Sequence, residues 1–461
     1  MAGVALADLL HRDGLLAGPE AAPRGARPMP HHPPRAKRVI QIFLFGGLSH
    51  LESFDYKPLL DKYHGQSMPA EMRVESFDAP SIGLVQRGHF PFRRRGESGQ
   101  WMSDLFPHIA ERADELTFIR SMVSSSGDHG PAAFEAHTGF EISGYPAAGC
   151  WVSYGLGSEN DNLPAFIVFP DSRGLPATGG NNWSNGFLPA RHQGILFHAE
   201  GAPVRDLRAP APSPPETRAA RLDLLRQLNQ RHLESRRHDD LFASRIESYE
   251  LAARMQRTIP EAVDLSRETE ATHRLYGLDN DVSRTFGRTC LTARRLVERG
   301  VRFVQIWSGG NIGRRDTWDG HLHVRTNHLE NAAIIDRPVA GLLRDLRQRG
   351  LLEDTLLIFN TEFGRMPFTQ ALPGKYSDGR DHNKNGFSVW LAGAGLKPGH
   401  SYGATDDFGY AAVDRPVTPH DFHATLLHLL GLDHTRLTYY HSGTEQRLTN
   451  VFGNVLHDLL A

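Results

Sequence analysis

The sequence predicts an α/β fold with a mostly parallel central sheet and helices on both of its faces. Two patterns carry this prediction: short apolar runs of strand length recur along the chain, and helical repeats lie between them. Continuous apolar runs are typical of strands that are buried on both faces, as in parallel sheets. Strands that alternate with helices along a chain indicate the α/β class.

The predicted strands are runs of apolar and β-branched residues that end near glycine, proline or polar residues. In chain order they cover residues 38–45, 116–122, 165–169, 301–307, 355–360 and 387–392. Helices are predicted where apolar residues recur at helical spacing, namely over 131–137, 285–299, 331–349 and 418–430. Glycine follows three of these helices, and Thr418 with Asp421 has the spacing of a capping box.

One large folded domain is predicted for residues 38–461, after an N-terminal segment over 1–37. Residues 1–18 form a weakly amphipathic helical pattern, and the proline-rich, basic stretch that comes next is predicted to be an extended linker. A second proline-rich stretch, later in the chain, introduces a helical pattern that ends at Pro260. We therefore predict a helical insertion over residues 209–262.

The composition excludes several classes of protein. With 51 basic and 53 acidic residues among 461, the net charge is −2, which argues against a nucleic-acid-binding protein. No apolar run in the sequence is long enough to span a bilayer. The N-terminal region lacks the basic start and apolar core of a signal peptide. The chain is therefore cytoplasmic as it stands, or its start omits an export signal.

Cysteine is rare in this chain and histidine is abundant. The two cysteines, Cys150 and Cys290, are too few for a disulfide framework or for a zinc site built on several thiolates. The 25 histidines mean that any transition-metal site would use imidazole and carboxylate ligands.

Polar, glycine-rich loops adjoin the predicted strands and carry the residues that could perform chemistry. Ligands of open α/β sheets bind beyond the carboxyl ends of the strands, so we expect these loops to converge. They cover residues 46–55, 126–139, 318–328, 362–365 and 379–383. Their histidines and carboxylates suit a divalent cation, which would polarise an anionic ester and activate water.

Four motifs in these loops resemble those of a known family. They are Gly-Gly-x-Ser-His-x-x-x-Phe-Asp at 46–55, Trp-Asp-x-His at 318–321, Glu-Phe-Gly-Arg at 362–365 and Gly-Arg-Asp-His-Asn at 379–383. They resemble the DUF1501 family, which is abundant in planctomycetes and is placed in the alkaline phosphatase/sulfatase superfamily. The resemblance implies an alkaline-phosphatase-like sandwich, a two-metal site for phosphate or sulfate esters, and a periplasmic or exported location.

The superfamily resemblance also implies residue roles, with some departures. Asp319, with His321 or His328, matches the loop that supplies an Asp and a His to the first metal, and His382 matches the second His of that metal. Glu362 matches an Asp of the second metal, but Phe363 and Gly364 follow it where a His would stand. Gly46 and Gly47 occupy the place of another metal-binding Asp. His129 stands roughly where the superfamily has its hydroxyl nucleophile.

From the loops and the resemblance we assign candidate residues to three roles. The predicted metal ligands are Asp319, His321, Glu362, His382 and His50. The predicted catalytic residues are His129, Asp128 and Arg365, and the predicted substrate-binding residues are Glu52, Arg380, Asn383, Trp183 and Arg191.

Structural roles are open alternatives for several of these residues. Asp128 and His129 can be a helix N-cap followed by an exposed histidine. Arg365 can bind a sulfate or phosphate group bidentately, or it can form a structural salt bridge with Glu362 or Asp381.

Together these residues predict a metal-dependent hydrolase of sulfate or phosphate esters, with small molecules or glycans as substrates and Zn, Mn, Mg or Ca as the cofactor. His129 would act as nucleophile or general base, or metal-bound water would attack the ester directly. The alternative is a non-catalytic metal- or anion-binding protein of the cell envelope, which keeps the fold but has lost the nucleophile.

Overall fold

A computed structural model of the chain describes residues 29–69, 82–205, 207, 214–234, 240–311, 316–370 and 377–461. The helix predicted over residues 1–18 lies outside the described residues.

The strands, in chain order, are β1 (Arg38–Leu44), β2 (Ile82–Val85), β3 (Phe92–Arg95), β4 (Gln100–Ser103), β5 (Thr117–Met122), β6 (Phe166–Phe169), β7 (Ile195–Leu196), β8 (Phe303–Ser308), β9 (Thr355–Asn360), β10 (Gly364–Arg365), β11 (Phe368–Gln370), β12 (His382–Asn383), β13 (Phe387–Ala392), β14 (Ser401–Tyr402), β15 (Ala404–Thr405), β16 (Ala412–Asp414), β17 (Tyr439–His441) and β18 (Thr444–Gln446).

The helices lie between these strands. In chain order they are α1 (His50–Ser53), α2 (Pro58–Tyr63), α3 (Pro107–Ala110), α4 (His129–Thr138), α5 (Ala148–Leu156), α6 (Pro215–Glu234), α7 (Asp240–Ala262), α8 (Glu270–Leu275), α9 (Arg284–Glu298), α10 (Val324–Gln348) and α11 (Pro419–Leu429). Short 3₁₀ turns cover Ala113–Glu115, Gly179–Trp183, Ala190–His192, Leu265–Arg267, Leu351–Glu353 and His457–Leu459.

Within the described residues, eight strands form the central sheet in the order β14-β5-β13-β9-β1-β8-β6-β7. Among these eight, β13 alone runs antiparallel to its neighbours, and the other pairings are parallel. The predicted α/β class with a mostly parallel sheet is thus confirmed. The six predicted strands all lie in this sheet, whereas its edge strands β7 and β14 are two residues long and too short to form an apolar run.

Helices cover both faces of the sheet, and β1 shows how the sequence achieves this. Successive side chains of a strand point to opposite faces. Ile40 and Ile42 accordingly belong to one core, which contains apolar residues of α9 and α10. Val39 and Phe43 belong to the other core, which contains residues of α5 and α11. The continuous apolar character of β1 therefore follows from its burial on both faces.

The observed helices agree with the predicted ones in type and differ at some ends. The helix α9 lies within one residue of its prediction, and α11 begins with the expected capping box between Thr418 and Asp421. The helix α10 begins at Val324, about two turns earlier than predicted, and carries Pro338 in its interior. The helix α7 continues two residues beyond Pro260, where we expected it to end.

The proline-rich stretch before β1 is attached to the folded body. The backbone N–H groups of His31 and His32 donate to the Gly431 carbonyl, and those of Arg35 and Ala36 donate to the Leu429 carbonyl. Residues 31–36 thereby satisfy carbonyls at the C-terminus of α11. No helix in the described ranges has both the length and the apolar character that a membrane crossing requires.

Three buried histidines make the stability of this fold dependent on pH. Burial lowers the pKa of His137, His192 and His423 to about 3 in each case. The folded state thus binds fewer protons than the unfolded state below pH 6.5. Their contribution to stability is complete above pH 6.5 and is lost as the pH falls toward 3, by about 1.4 kcal/mol per pH unit for each group.

We predict that His137→Gln weakens this acid dependence. His137 packs against Phe43 and Trp307 and is hydrogen-bonded to Gln305, so its removal lowers stability at neutral pH as well. Between pH 6 and 4, the free energy of unfolding in urea should fall about 1.4 kcal/mol per pH unit less steeply than in the wild type. The exposed His64→Gln variant is the matched control, and equal slopes for His137→Gln and wild type would contradict the prediction.

Candidate metal centre

Residues from four loops meet at one edge of the sheet. Asp319 follows the parallel strand β8, and Glu362 follows β9, while His129 opens α4 after β5. His382 precedes β13, and because β13 is antiparallel, its start lies at the edge where the parallel strands end. Residues before one strand and after several others therefore meet in one place.

Four side chains form a compact cluster at this edge: His129, Asp319, His321 and His382. We call these four residues the metal cluster. One ligand atom from each lies within 4.8 Å of the others. The Asp319 Oδ1 atom is 3.0 Å from His321 Nε2 and 3.5 Å from both His129 Nε2 and His382 Nε2. The Nε2 atoms of His321 and His382 are 2.8 Å apart.

The opposite ring nitrogen of each histidine faces a hydrogen-bond acceptor. His129 Nδ1 is 2.7 Å from Glu362 Oε1, His321 Nδ1 is 2.6 Å from Gln370 Oε1, and His382 Nδ1 is 2.6 Å from the Gly127 carbonyl. These oxygens accept, so each Nδ1 atom carries the proton that it donates. In the neutral rings the three Nε2 atoms are then unprotonated, and their lone pairs converge on Asp319.

The cluster has the donor chemistry and spacing that a divalent cation requires. A tetrahedral site with ligand bonds of 2.0–2.2 Å has donor–donor distances of about 3.3–3.6 Å, close to the 3.0–3.5 Å between Asp319 and the three rings. His129 Nε2 is buried and has no hydrogen-bond partner among the described residues. Three lone pairs converging on a carboxylate repel one another unless a positive charge lies among them, so the residues fit a metal ion.

Glu362 supports the cluster without reaching its centre. Its Oε1 atom accepts from His129 Nδ1 and from the Gly46 backbone N–H, both at 2.7 Å. Its Oε2 atom accepts from the Thr361 hydroxyl at 3.0 Å. Both oxygens of this buried carboxylate are therefore engaged within the protein, and the structure places the predicted ligand Glu362 behind His129.

Arg365 is fully buried and its guanidinium is occupied by protein acceptors. It donates to the carbonyls of Gly46, Gly47 and Arg380 and to Asp319 Oδ1. These four acceptors leave the side chain of Arg365 turned toward the protein. These contacts agree with the structural alternative for Arg365, with Asp319 as the carboxylate partner, and they hold the loops around Asp319 together.

The charges around the cluster shift the pKa values of its members. Burial alone would raise the pKa of Asp319, but Arg365 and the three neighbouring imidazoles hold it well below its ordinary value. Burial opposes a charged His129, yet the neighbouring carboxylates of Asp319 and Glu362 raise its pKa to about 9. Burial, followed by repulsion from Arg365, lowers the pKa of His382 to about 3.

Two glycines bring the loop after β1 against the loop after β8. Gly46 and Gly47 have φ values of +117° and +75°, which side-chain-bearing residues rarely adopt. A Cβ atom on Gly46 would lie 2.5 Å from the Trp318 backbone N, and one on Gly47 would lie 2.6 Å from the Phe363 ring. This close backbone approach sets the position of Asp319 relative to Glu362.

Several residues that the sequence suggested for the site lie outside the metal cluster. His50 is buried with Nε2 on the Gly409 carbonyl, and His328 is buried with Nε2 accepting from the Ser49 backbone N–H. Asp128 caps α4 by accepting from the Gly130 N–H.

The residues predicted to bind substrate also contact other parts of the protein. Glu52 and Arg380 form a fully buried ion pair at 2.9 Å, and Asn383 donates to three backbone carbonyls. Trp183 is buried against Trp307, and Arg191 pairs with Glu247. The structure therefore gives each of these five residues contacts within the protein, and none of them is a member of the metal cluster.

The residues that sequence reasoning missed are the acceptors Gln370 and Gly127. Both fix the tautomer of a cluster histidine, yet neither lies in a recognisable motif. Gly127 acts through its backbone carbonyl, a group that every residue has, so the identity of the residue gives no sign of this role. Gln370 is 49 residues from His321, and no spacing in the sequence connects them.

A family model described as "Protein of unknown function (DUF1501)" matches residues 36–460. A search of curated proteins returns no match. Among solved structures, the chain is similar to the phosphonate monoester hydrolase from Silicibacter pomeroyi, with 12% identity, coverage of 77% of this chain and 71% of that one, and a TM-score of 0.37. The PsFucS1 sulfatase from Pseudoalteromonas sp. is 13% identical, the match covers 94% of this chain and 71% of that one, and the TM-score is 0.35. Alkaline phosphatase from the Antarctic bacterium TAB5 is 13% identical, the match covers 80% of this chain and 92% of that one, and the TM-score is 0.31.

The buried ion pair between Glu52 and Arg380 generates a prediction about stability. Removing one partner of a buried pair leaves the other charge uncompensated, which typically costs about 3–5 kcal/mol. We predict that Glu52→Gln lowers the free energy of unfolding by about that amount and leaves the metal content per folded chain unchanged. Urea unfolding and elemental analysis check this, with the exposed Glu353→Gln as control. Normal stability with lost metal would instead assign Glu52 to the site.

Proposed function

The chain belongs to the DUF1501 family, and from the geometry of its metal cluster we propose that it is a metal-dependent hydrolase of sulfate or phosphate esters. The observation that carries this proposal is the convergence of three imidazole Nε2 atoms and the Asp319 carboxylate at the carboxyl edge of the sheet. The His321 side chain is 30% exposed, so this side of the cluster is open to a ligand. The motif resemblance to the alkaline phosphatase/sulfatase superfamily supports the choice of ester class.

The proposed metal ligands are His129, Asp319, His321 and His382. A divalent cation held by them supplies Lewis acidity toward an anionic ester. Three imidazoles favour a borderline ion such as Zn²⁺, because Mg²⁺, Ca²⁺ and Mn²⁺ prefer sites built from oxygen ligands. We therefore narrow the cofactor to a transition metal.

The surrounding residues orient the ligands and keep them in the correct charge state. Glu362, Gln370 and the Gly127 carbonyl each hold an Nδ1 proton, which directs the lone pair of Nε2 toward the centre. Arg365 keeps Asp319 ionised and holds the loop of Gly46 and Gly47 against it. Glu362 and Gln370 are buried behind the cluster, whereas the His321 side chain is partly exposed, so we place the substrate beside His321.

This arrangement changes the role that the sequence suggested for His129. Its Nδ1 atom is bound to Glu362 and its Nε2 atom faces Asp319, so neither ring nitrogen points to a separate substrate position. We propose that His129 is a metal ligand oriented by Glu362. A nucleophilic or general-base role for His129 would require its Nε2 atom to be free of the metal.

The second candidate is a metal-binding protein without turnover. One specific observation favours it: the cluster offers four protein donors, the number that fills a structural zinc site, whereas catalytic zinc sites ordinarily leave one position open. Export to the periplasm and the insertion over residues 209–262 also belong to the proposal. The family resemblance supports export, and the helical pair α6 and α7 supports the insertion.

We predict that His382→Ala removes the bound metal and lowers ester hydrolysis by at least about 100-fold. Changes in residues that only orient ligands typically cost 10–100-fold, and deletion of a ligand should exceed that. Elemental analysis of the purified protein and hydrolysis of aryl sulfates and aryl phosphates check the prediction. The control is His323→Ala, because His323 is 55% exposed and lies outside the cluster. Full metal content in His382→Ala would refute the proposed ligand set.

A second prediction separates the two roles of His129. If His129 is a ligand, His129→Ala loses metal and activity together, as His382→Ala does. If His129 is the nucleophile, the variant keeps its metal while activity falls at least about 100-fold. Metal content and hydrolysis rates measured on the same preparations distinguish these results. Bound metal in the wild type with no turnover of either ester class would favour the second candidate.

A further inference from the structure

The motif resemblance implies a two-metal site, but the surroundings of the cluster do not fit a second ion. We infer that the centre holds a single cation, and that Glu362, Phe363 and Arg365 occupy the volume and the donors that a second cation would need. This inference rests on the proposed metal centre. In two-metal sites the ions lie about 3.5–4 Å apart, so a second ion would require its own ligands directly beside the cluster.

The first argument concerns the carboxylate nearest to the cluster. Glu362 Oε1 accepts two hydrogen bonds at 2.7 Å, from His129 Nδ1 and from the Gly46 N–H, and Oε2 accepts one from Thr361. A metal bound to Glu362 would have to displace the proton that fixes the tautomer of His129 or leave the Gly46 N–H buried without a partner. Glu362 is therefore a positioning residue that acts through His129.

The second argument concerns Phe363. Its ring lies 4.8 Å from the His129 ring and 4.5 Å from the His382 ring, measured between centroids. It is fully buried, and its edge is the nearest contact of a Cβ atom built on Gly47. An apolar ring thus fills the space on this side of the cluster, and it offers no ligand atom.

The third argument concerns Arg365. Its guanidinium is 2.7 Å from Asp319 Oδ1 and is fully buried. A buried permanent cation so close to the shared carboxylate repels a second divalent ion at short range. It also neutralises part of the carboxylate charge, which a second metal would otherwise balance.

The remaining histidines near the site have other partners. His50 Nε2 is 2.7 Å from the Gly409 carbonyl, and His328 Nε2 accepts from the Ser49 N–H at 3.0 Å. Both ring nitrogens of His328 are hydrogen-bonded, the second to Asn327, so His328 would have to abandon a buried hydrogen bond to ligate a metal. His50 Nδ1 has no hydrogen-bond partner among the described residues, but it lies against Gly364, where a Cβ atom would be 2.6 Å from it, and it is not one of the convergent ligand atoms. Among the described residues, the cluster of four is the group whose ligand atoms converge.

The test is a metal count on the full chain, with cobalt as the probe. Chelator-treated protein is titrated with Co²⁺ by calorimetry and by visible absorption, and zinc content after reconstitution is measured by elemental analysis. We expect one tight equivalent per chain in the wild type. We expect Glu362→Gln to keep one equivalent and the same shape of cobalt spectrum while its affinity falls about 10–100-fold, as for other residues that orient ligands.

The controls and outcomes separate this inference from the proposed function. His382→Ala should lose the equivalent, and the exposed Glu353→Gln should behave as wild type; thermal unfolding confirms that each variant is folded. Two tight equivalents in the wild type, or the loss of one of two in Glu362→Gln, overturns the inference and leaves the proposed metalloenzyme standing. Zero equivalents overturns both. One equivalent without ester hydrolysis supports the single-cation centre and refutes the hydrolase.

Discussion

Three imidazole nitrogens and one carboxylate oxygen face one another within 4.8 Å at the carboxyl edge of the sheet. Such an arrangement is unfavourable by itself, because unprotonated nitrogens and a carboxylate oxygen repel one another. It persists here because every outward nitrogen of the three rings is held by an acceptor: a carboxylate, an amide oxygen and a backbone carbonyl. The other buried residues of the site hold these acceptors in place.

The acceptors are held in place largely by buried charged side chains that bind backbone carbonyls of the surrounding loops. Arg365 joins the loops that follow β1 and β9 to the loop that carries Asp319. Arg380, paired with Glu52, binds the carbonyls of Met366, Gln86 and Arg87 in the same way. Both arginines are saturated by the protein, so their strong motif signature reflects the cohesion of the loops. A charged residue in a distinctive motif can therefore serve the geometry of a site without touching its ligand.

The sheet explains why these loops meet at all. Parallel strands deliver their following loops to one edge, and the antiparallel β13 delivers its preceding loop to the same edge. The Gly46–Gly47 turn then permits a close approach, because a Cβ atom on Gly46 would collide with the Trp318 backbone and one on Gly47 with the Phe363 ring. The histidines are thus presented on elements whose positions the core already determines, and little freedom remains for the cluster to rearrange.

The sequence by itself determined the α/β class, the six main strands, the capped helix α11 and the loops that hold His129, Asp319, His321 and His382. These features are local: apolar runs, helical spacing, glycine stops and motif composition all report on neighbouring residues. Tertiary structure alone decided the direction of β13, the pairing of Glu52 with Arg380 across 328 positions, and the placement of Glu362 behind His129. The physical reason is that a side chain's role depends on which donors and acceptors surround it in the fold, and those partners lie tens to hundreds of residues away, beyond the reach of any local pattern.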